Sequence, residues 1–179
     1  METPVLKNYF ISVEKMNLLW ESLAKKANKP MSAIETLSDQ LQAVKSIGHD
    51  MTINLQFPGL EENVIFKTLM SLEQELALII NIIQEVDIAT EKLNKLATLV
   101  DSQKEKKDMS SATVSTCSVL EVVSDCRQYY QAQYLGLQSA LKCLDFRDSN
   151  SIRALRKSFI EDKNLKKHVQ RWCRTFFTM

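Results

Sequence analysis

The chain has 179 residues, 45% of them apolar and 25% charged, with only three glycines and three prolines. That balance excludes an intrinsically disordered chain, and so little turn chemistry excludes architectures built on many tight reversals. The net charge of +1 conceals an asymmetry: residues 151–179 carry eight Lys/Arg and two acids, against a net −5 for residues 1–150.

Thr3-Pro4 opens a first helix, a capping hydroxyl followed by proline at the first helical position. Leu6, Tyr9, Val13, Met16, Trp20, Leu23 and Ala27 then repeat the three-four spacing of one helix face. Pro30 disfavours helical geometry at Lys29, so this helix is expected to end near Asn28. A second helix, begun by Pro30 and closed by Gly48, carries Ile34, Leu37, Leu41 and Val44. In 49–57 the period changes: Met51, Ile53, Leu55 and Phe57 alternate with polar residues. No other run alternates, so a lone strand lacks a partner within the chain. The preferred expectation is an extended strap laid over the bundle; the alternative is pairing with a strand of another protein.

The chain is organised around the next element, a central helix predicted from Pro58 to Gln103, about 46 residues or roughly 69 Å long. Ile65, Leu69, Leu72, Leu76, Ile79, Ile83, Val86, Thr90, Leu93, Ala97 and Val100 fall on one stripe, and all but Thr90 are apolar. Leu78, Ile80, Ile82 and Ile88 lie off it. A helix apolar nearly all round must be covered on several sides. It is not a membrane span, since its densest run, Leu76–Ile83, is eight residues with Asn81 inside, against the roughly 20 a bilayer requires.

Residues 102–116 are polar and serine-rich and read as a mobile linker. Ser118-x-x-Glu121 has the capping-box pattern and opens a fourth helix. Its larger face is Leu120, Val123, Tyr130, Tyr134, Leu137, Leu141 and Leu144; its smaller face is Val119, Val122, Cys126, Gly136, Ala140 and Cys143. Gly136 inside a helix predicts a close crossing there. Asp148 or Ser149 caps a short fifth helix with Ile152, Leu155 and Phe159. Asp162 or Asn164 begins a last one with Leu165, Val169, Trp172, Cys173 and Phe176. The four cysteines, nine, seventeen and thirty residues apart without a CxxC, read as reduced, buried thiols. The N-terminal residues hold early acids and no apolar signal run, so secretion is not expected.

Reactive signatures are missing. The isolated Gly48, Gly59 and Gly136 form neither a GxxxxGK nor a GxGxxG phosphate cradle. His49 and His168 lie far apart, and no Cys/His group has metal-ligand spacing. Glu61-Glu62 and Glu73/Glu75 read as solvated helix faces, and Cys126 as a small core residue. No catalytic, cofactor or metal site is therefore assigned. Two features are left. One is the basic tail, Arg153, Arg156, Lys157, Lys163, Lys166, Lys167, Arg171 and Arg174 beside Trp172. It suits phosphate backbones with a stacking ring, an acidic protein, or plain solvation of two amphipathic helices. The other is the girth of the central helix, whose excess apolar surface would receive a partner helix. Trp20 reads as core filler before interface anchor.

Several stretches in order resemble one family. They are Phe10-x-x-Val13-Glu14, Leu19-Trp20-x-Ser22, Leu37-Ser38-Asp39-Gln40-Leu41-Gln42-Ala43 and Phe57-Pro58-Gly59-Leu60. Tyr130-x3-Tyr134-Leu135, Leu141, Leu144-x-Phe146-x-Asp148, Ile152, Ala154-Leu155 and Phe159 continue the series. The pattern is similar to that of the AIRIM ribosome maturation factors over nearly the whole chain. It departs at 102–116 and at Phe146 and Phe159, where tryptophans are expected. The resemblance implies a non-catalytic subunit that accompanies valosin-like AAA+ ATPases of the spermatogenesis-associated type, together with a second helical subunit similar to CINP. It further implies a role in cytoplasmic maturation of the pre-ribosomal large subunit and in remodelling replication proteins on chromatin, hence a cytoplasmic and nuclear location.

The expected protein is thus one all-α domain, residues 1–179, an elongated antiparallel helical bundle built on the helix at about 58–103. Partner contacts are expected at Ile80, Ile82, Ile88, Tyr130 and Tyr134 for subunit pairing. Arg156, Lys166, Lys167, Arg171 and Trp172, within 152–177, are expected to meet the ATPase or its substrate. The competing expectation is a nucleic-acid-binding bundle acting through that basic segment.

Overall fold

The computed structural model describes residues 4–47, 58–105, 114–160, 166, 167 and 171. Four helices account for nearly all of them: α1 (Pro4–Ile47), α2 (Leu60–Glu105), α3 (Val114–Lys142) and α4 (Ser149–Ser158). There is no strand among the described residues, and the fold is all-α.

The long central helix forms as its stripe predicts. It is entered through Gly59, whose φ of +79° lies in the left-handed region that a side chain resists. Asn63 then closes the first turn, its backbone N–H and its Nδ2 both donating to Gly59 O at 3.1 and 2.9 Å. Leu72, Ile79, Ile83, Val86, Leu93, Ala97 and Val100 are buried, with Thr90 among them. Leu69, placed on the same stripe by its spacing, is exposed.

α1 corrects the expectation of two helices. It runs unbroken for 44 residues with Pro30 inside it. Proline there removes the hydrogen bond to Lys26 O and crowds that carbonyl, a cost of about 3 kcal/mol in an isolated helix. Tertiary contacts on both sides offset it. Ala27, Met31 and Ile34 are buried on one flank. On another, Arg156 of α4 bonds Glu35 Oε2 at 2.7 Å, Ser32 Oγ at 2.6 Å and Asn28 Oδ1 at 3.3 Å, straddling the proline.

α1 and α2 pair along most of their length, and the direction follows from their contacts. Tyr9, Phe10 and Val13 share a cluster with Leu93, Ala97 and Val100, while Ile34 and Leu41 share one with Leu72 and Ile79. The two helices are therefore antiparallel. α3 returns beside α1: Tyr9 Oη donates to Val123 O at 2.9 Å, and Asn94 Nδ2 of α2 donates to Gln131 Oε1 at 2.9 Å. The turn after α3 leans on α1, with Gln42 Nε2 donating to Arg147 O at 3.2 Å and Ser38 Oγ donating to Phe146 O. α4, capped by Asp148 accepting from the Asn150 N–H, runs back along α1 until Phe159 O meets Trp20 Nε1 at 3.2 Å. Trp20 is core filler, not an exposed anchor.

Other expectations are corrected locally. α2 reaches Glu105 and α3 starts at Val114, so the ends of the 102–116 stretch are helical; 106–113 lie outside the described residues. Ser118 stands inside α3 instead of capping it. A Cβ on Gly136 would meet nothing within 4 Å, so no helix crosses closely there. Cys126 is a buried thiol as expected, but Cys143 is exposed. The expected strap at 49–57 lies outside the described residues. Of the last predicted helix, Lys166, Lys167 and Arg171 are helical, and Trp172 lies outside the described residues.

Candidate partner-binding surfaces

A helix can bury only the arc its neighbours cover, and α2 is covered unequally. α3 stops at Lys142, and the turn beyond it rests on α1 through Ser38 and Gln42. The outward side of the first half of α2 is left with Phe66, Leu69, Met70, Leu78 and Ile80 exposed, and Ile88 follows further along. Ile80 and Ile88 thus sit where subunit-pairing residues were expected. Ile82 does not: it is 7% exposed and belongs to the core. The off-stripe residues fall on two sides of the helix, one turned toward α1 and α3, the other outward. Phe66 and Met70 were missed because a search for the buried stripe passes over them. Their own three-four spacing with Ile80 through Glu73 and Ala77 was the available signal.

The aromatic residues of α3 are corrected as a pair. Tyr130 is wholly buried, and its Oη donates to Asn17 Oδ1 of α1 at 2.6 Å. Tyr134 is also buried, with its hydroxyl accepting from Gln138 Nε2. Burial first, then hydrogen bonding to the Asp87 carboxylate and its charge, push the Tyr134 phenol up to about 12. Both phenols tie α3 to its neighbours within the subunit, so neither is presented to a partner.

The basic residues divide. Arg156 is committed to Glu35, Ser32 and Asn28, and Lys166 Nζ to Glu21 Oε1 at 2.7 Å. The Lys166 hydrogen bond and charge hold the Glu21 carboxyl below its ordinary value. Arg153, Lys157, Lys167 and Arg171 are exposed. Two of the expected contact residues are therefore internal struts, and Arg153 and Lys157 of α4 replace them as outward charge. Among the described residues no three His, Cys, Asp or Glu side chains are grouped to hold a metal ion. No helix among them is long and apolar enough to cross a membrane.

An all-α bundle with an apolar outer stripe on one helix and exposed cations on another belongs to the class of helical proteins equipped to bind other macromolecules. The chain belongs to the family described as ribosome biogenesis protein C1orf109-like, which matches residues 3–172. It is 24% identical over 168 residues to the human AFG2-interacting ribosome maturation factor, covering 86% of this chain and 81% of that one. The mouse protein of the same name is 25% identical over 166 residues, covering 86% of this chain and 76% of its own. Membership of this family makes the chain a ribosome biogenesis protein.

Proposed function

We propose that the protein is a non-catalytic adaptor subunit of a AAA+ ATPase complex acting in large ribosomal subunit maturation. The observation that carries this reading is the shared name of the two relatives, AFG2-interacting ribosome maturation factor, over most of both chains. In this reading ATP is hydrolysed by the companion ATPase, of the valosin-like type. The adaptor pairs with a helical subunit resembling CINP through the outward side of α2. The exposed cations of α4 and the residues after it meet the ATPase or its substrate. Purification of the tagged full chain from its native cells should recover a AAA+ ATPase in fixed proportion. A monomer that sediments without any ATPase would overturn the reading.

A second reading, nucleic-acid binding, is favoured by exposed Arg153, Lys157 and Lys167. Binding of a short RNA through them should weaken steeply with salt and vanish in the triple glutamate variant. RNA binding that survives those substitutions sinks it.

A further inference from the structure

The outer stripe of α2 carries more information than its greasiness. Counting about 100° per residue, Glu62, Phe66, Leu69, Met70, Glu73, Ala77, Ile80, Gln84 and Ile88 fall within an arc of about 100°. From Phe66 to Ile88 the stripe is about 33 Å long at 1.5 Å per residue. Phe66 is 63% exposed, Met70 45%, Leu69 41%, Ile80 37% and Ile88 69%. Residues three and four apart on a straight rod form the ridge that a second helix receives in its groove. An extended strand, with its period of two, would not follow them.

The charges on the ridge say which helix. Glu62 and Glu73 are both exposed and lie in line with the apolar residues, while Lys67 falls outside the arc. A second copy laid parallel and in register sets Glu62 against Glu62 and Glu73 against Glu73. A two-fold antiparallel pair centred on the densest part of the stripe again sets Glu73 against Glu73. Like charges across a closing interface oppose it, and opposite charges flanking an apolar seam select the partner. We propose that the outer face of α2, from Glu62 to Ile88, seats one amphipathic helix of a different protein, its apolar seam flanked by Lys or Arg opposite Glu62 and Glu73. This rests on the adaptor reading for its biological setting, and adds the face, the partner's charge and the exclusion of self-pairing.

The test uses the full chain and two synthetic 22-residue helical peptides. Both carry leucine at three-four spacing; one has lysine at the flanking positions and the other glutamate. Fluorescence anisotropy should show the lysine peptide binding at least tenfold more tightly. Phe66→Glu and Ile80→Glu should each weaken it at least tenfold, with helicity and melting checked by circular dichroism. Glu73→Lys, a change at an exposed position, should reverse the preference toward the glutamate peptide. Equal binding of the two peptides, or a preference unmoved by Glu73→Lys, overturns the proposal. So does a concentration-dependent dimer that Phe66→Glu turns into monomer, because a second copy then occupies the face. If the peptides fail while the ATPase still co-purifies, this face alone is misassigned. If the peptides behave as expected and no ATPase co-purifies, the adaptor reading alone is lost.

Discussion

Tyr130 places a phenol in the core with Asn17 Oδ1 at 2.6 Å, and both groups are buried. Tyr130→Phe removes the donor and strands the amide, which costs about 1–3 kcal/mol; urea denaturation should show the midpoint falling with an unchanged slope. Thr90 is the reverse case, since its Oγ1 is buried with no hydrogen-bond partner. Thr90→Val keeps the branched shape and removes the unpaired hydroxyl, and should raise stability by about 1 kcal/mol in the same assay. Tyr134 supplies a pH dependence. Its folded value, about 12, stands above the ordinary 10. The folded state therefore favours the neutral phenol, and that contribution is whole below pH 10 and lost as pH rises through the folded value. Tyr134→Phe should flatten the alkaline limb of the stability profile.

Pro30 decides the form of α1. Local sequence argues for a break, because proline forbids one helical hydrogen bond and biases Lys29 toward extended geometry. The helix continues because the buried flank of Met31 and Ile34 and the Arg156 bridges are satisfied only when 26–35 stay helical. Arg156→Ala should cost about 1 kcal/mol, a half-exposed ion pair being screened. Its clearer signature is faster amide hydrogen exchange confined to α1 around residues 26–35. The cap of α4 was legible because Asp148 bonds a backbone N–H two residues away, a local interaction. The close crossing expected at Gly136 was not legible, since glycine shows where a helix is weak and not what lies beside it.

At the scale of the whole molecule, Lys166 joins the residues after α4 to Glu21 near the middle of α1. Glu21 is held below its ordinary 4.5, so this tie is complete above that value and is lost as pH falls through the lowered one. Glu21→Gln should abolish the acid-dependent loosening of the C-terminal residues, read by hydrogen exchange of 160–171 between pH 6 and pH 3. The molecule also separates its charges. Acids accompany the apolar ridge of α2, and exposed cations lie on α4 and after it. Two partners of opposite character are thereby accommodated on different sides of one rod.

Residue spacing alone determined that the chain is all-α and that the segment from Ile65 to Val100 is one helix, because side-chain periodicity is a local property of the backbone. Tertiary structure decided the rest. Tyr130 and Ile82 turned inward, Leu69 and Ile80 stayed out, and Pro30 was absorbed. Whether an apolar side chain is core or interface depends on which neighbour reaches it. On α2 that was settled by where α3 ends and by the turn that leans toward α1 instead.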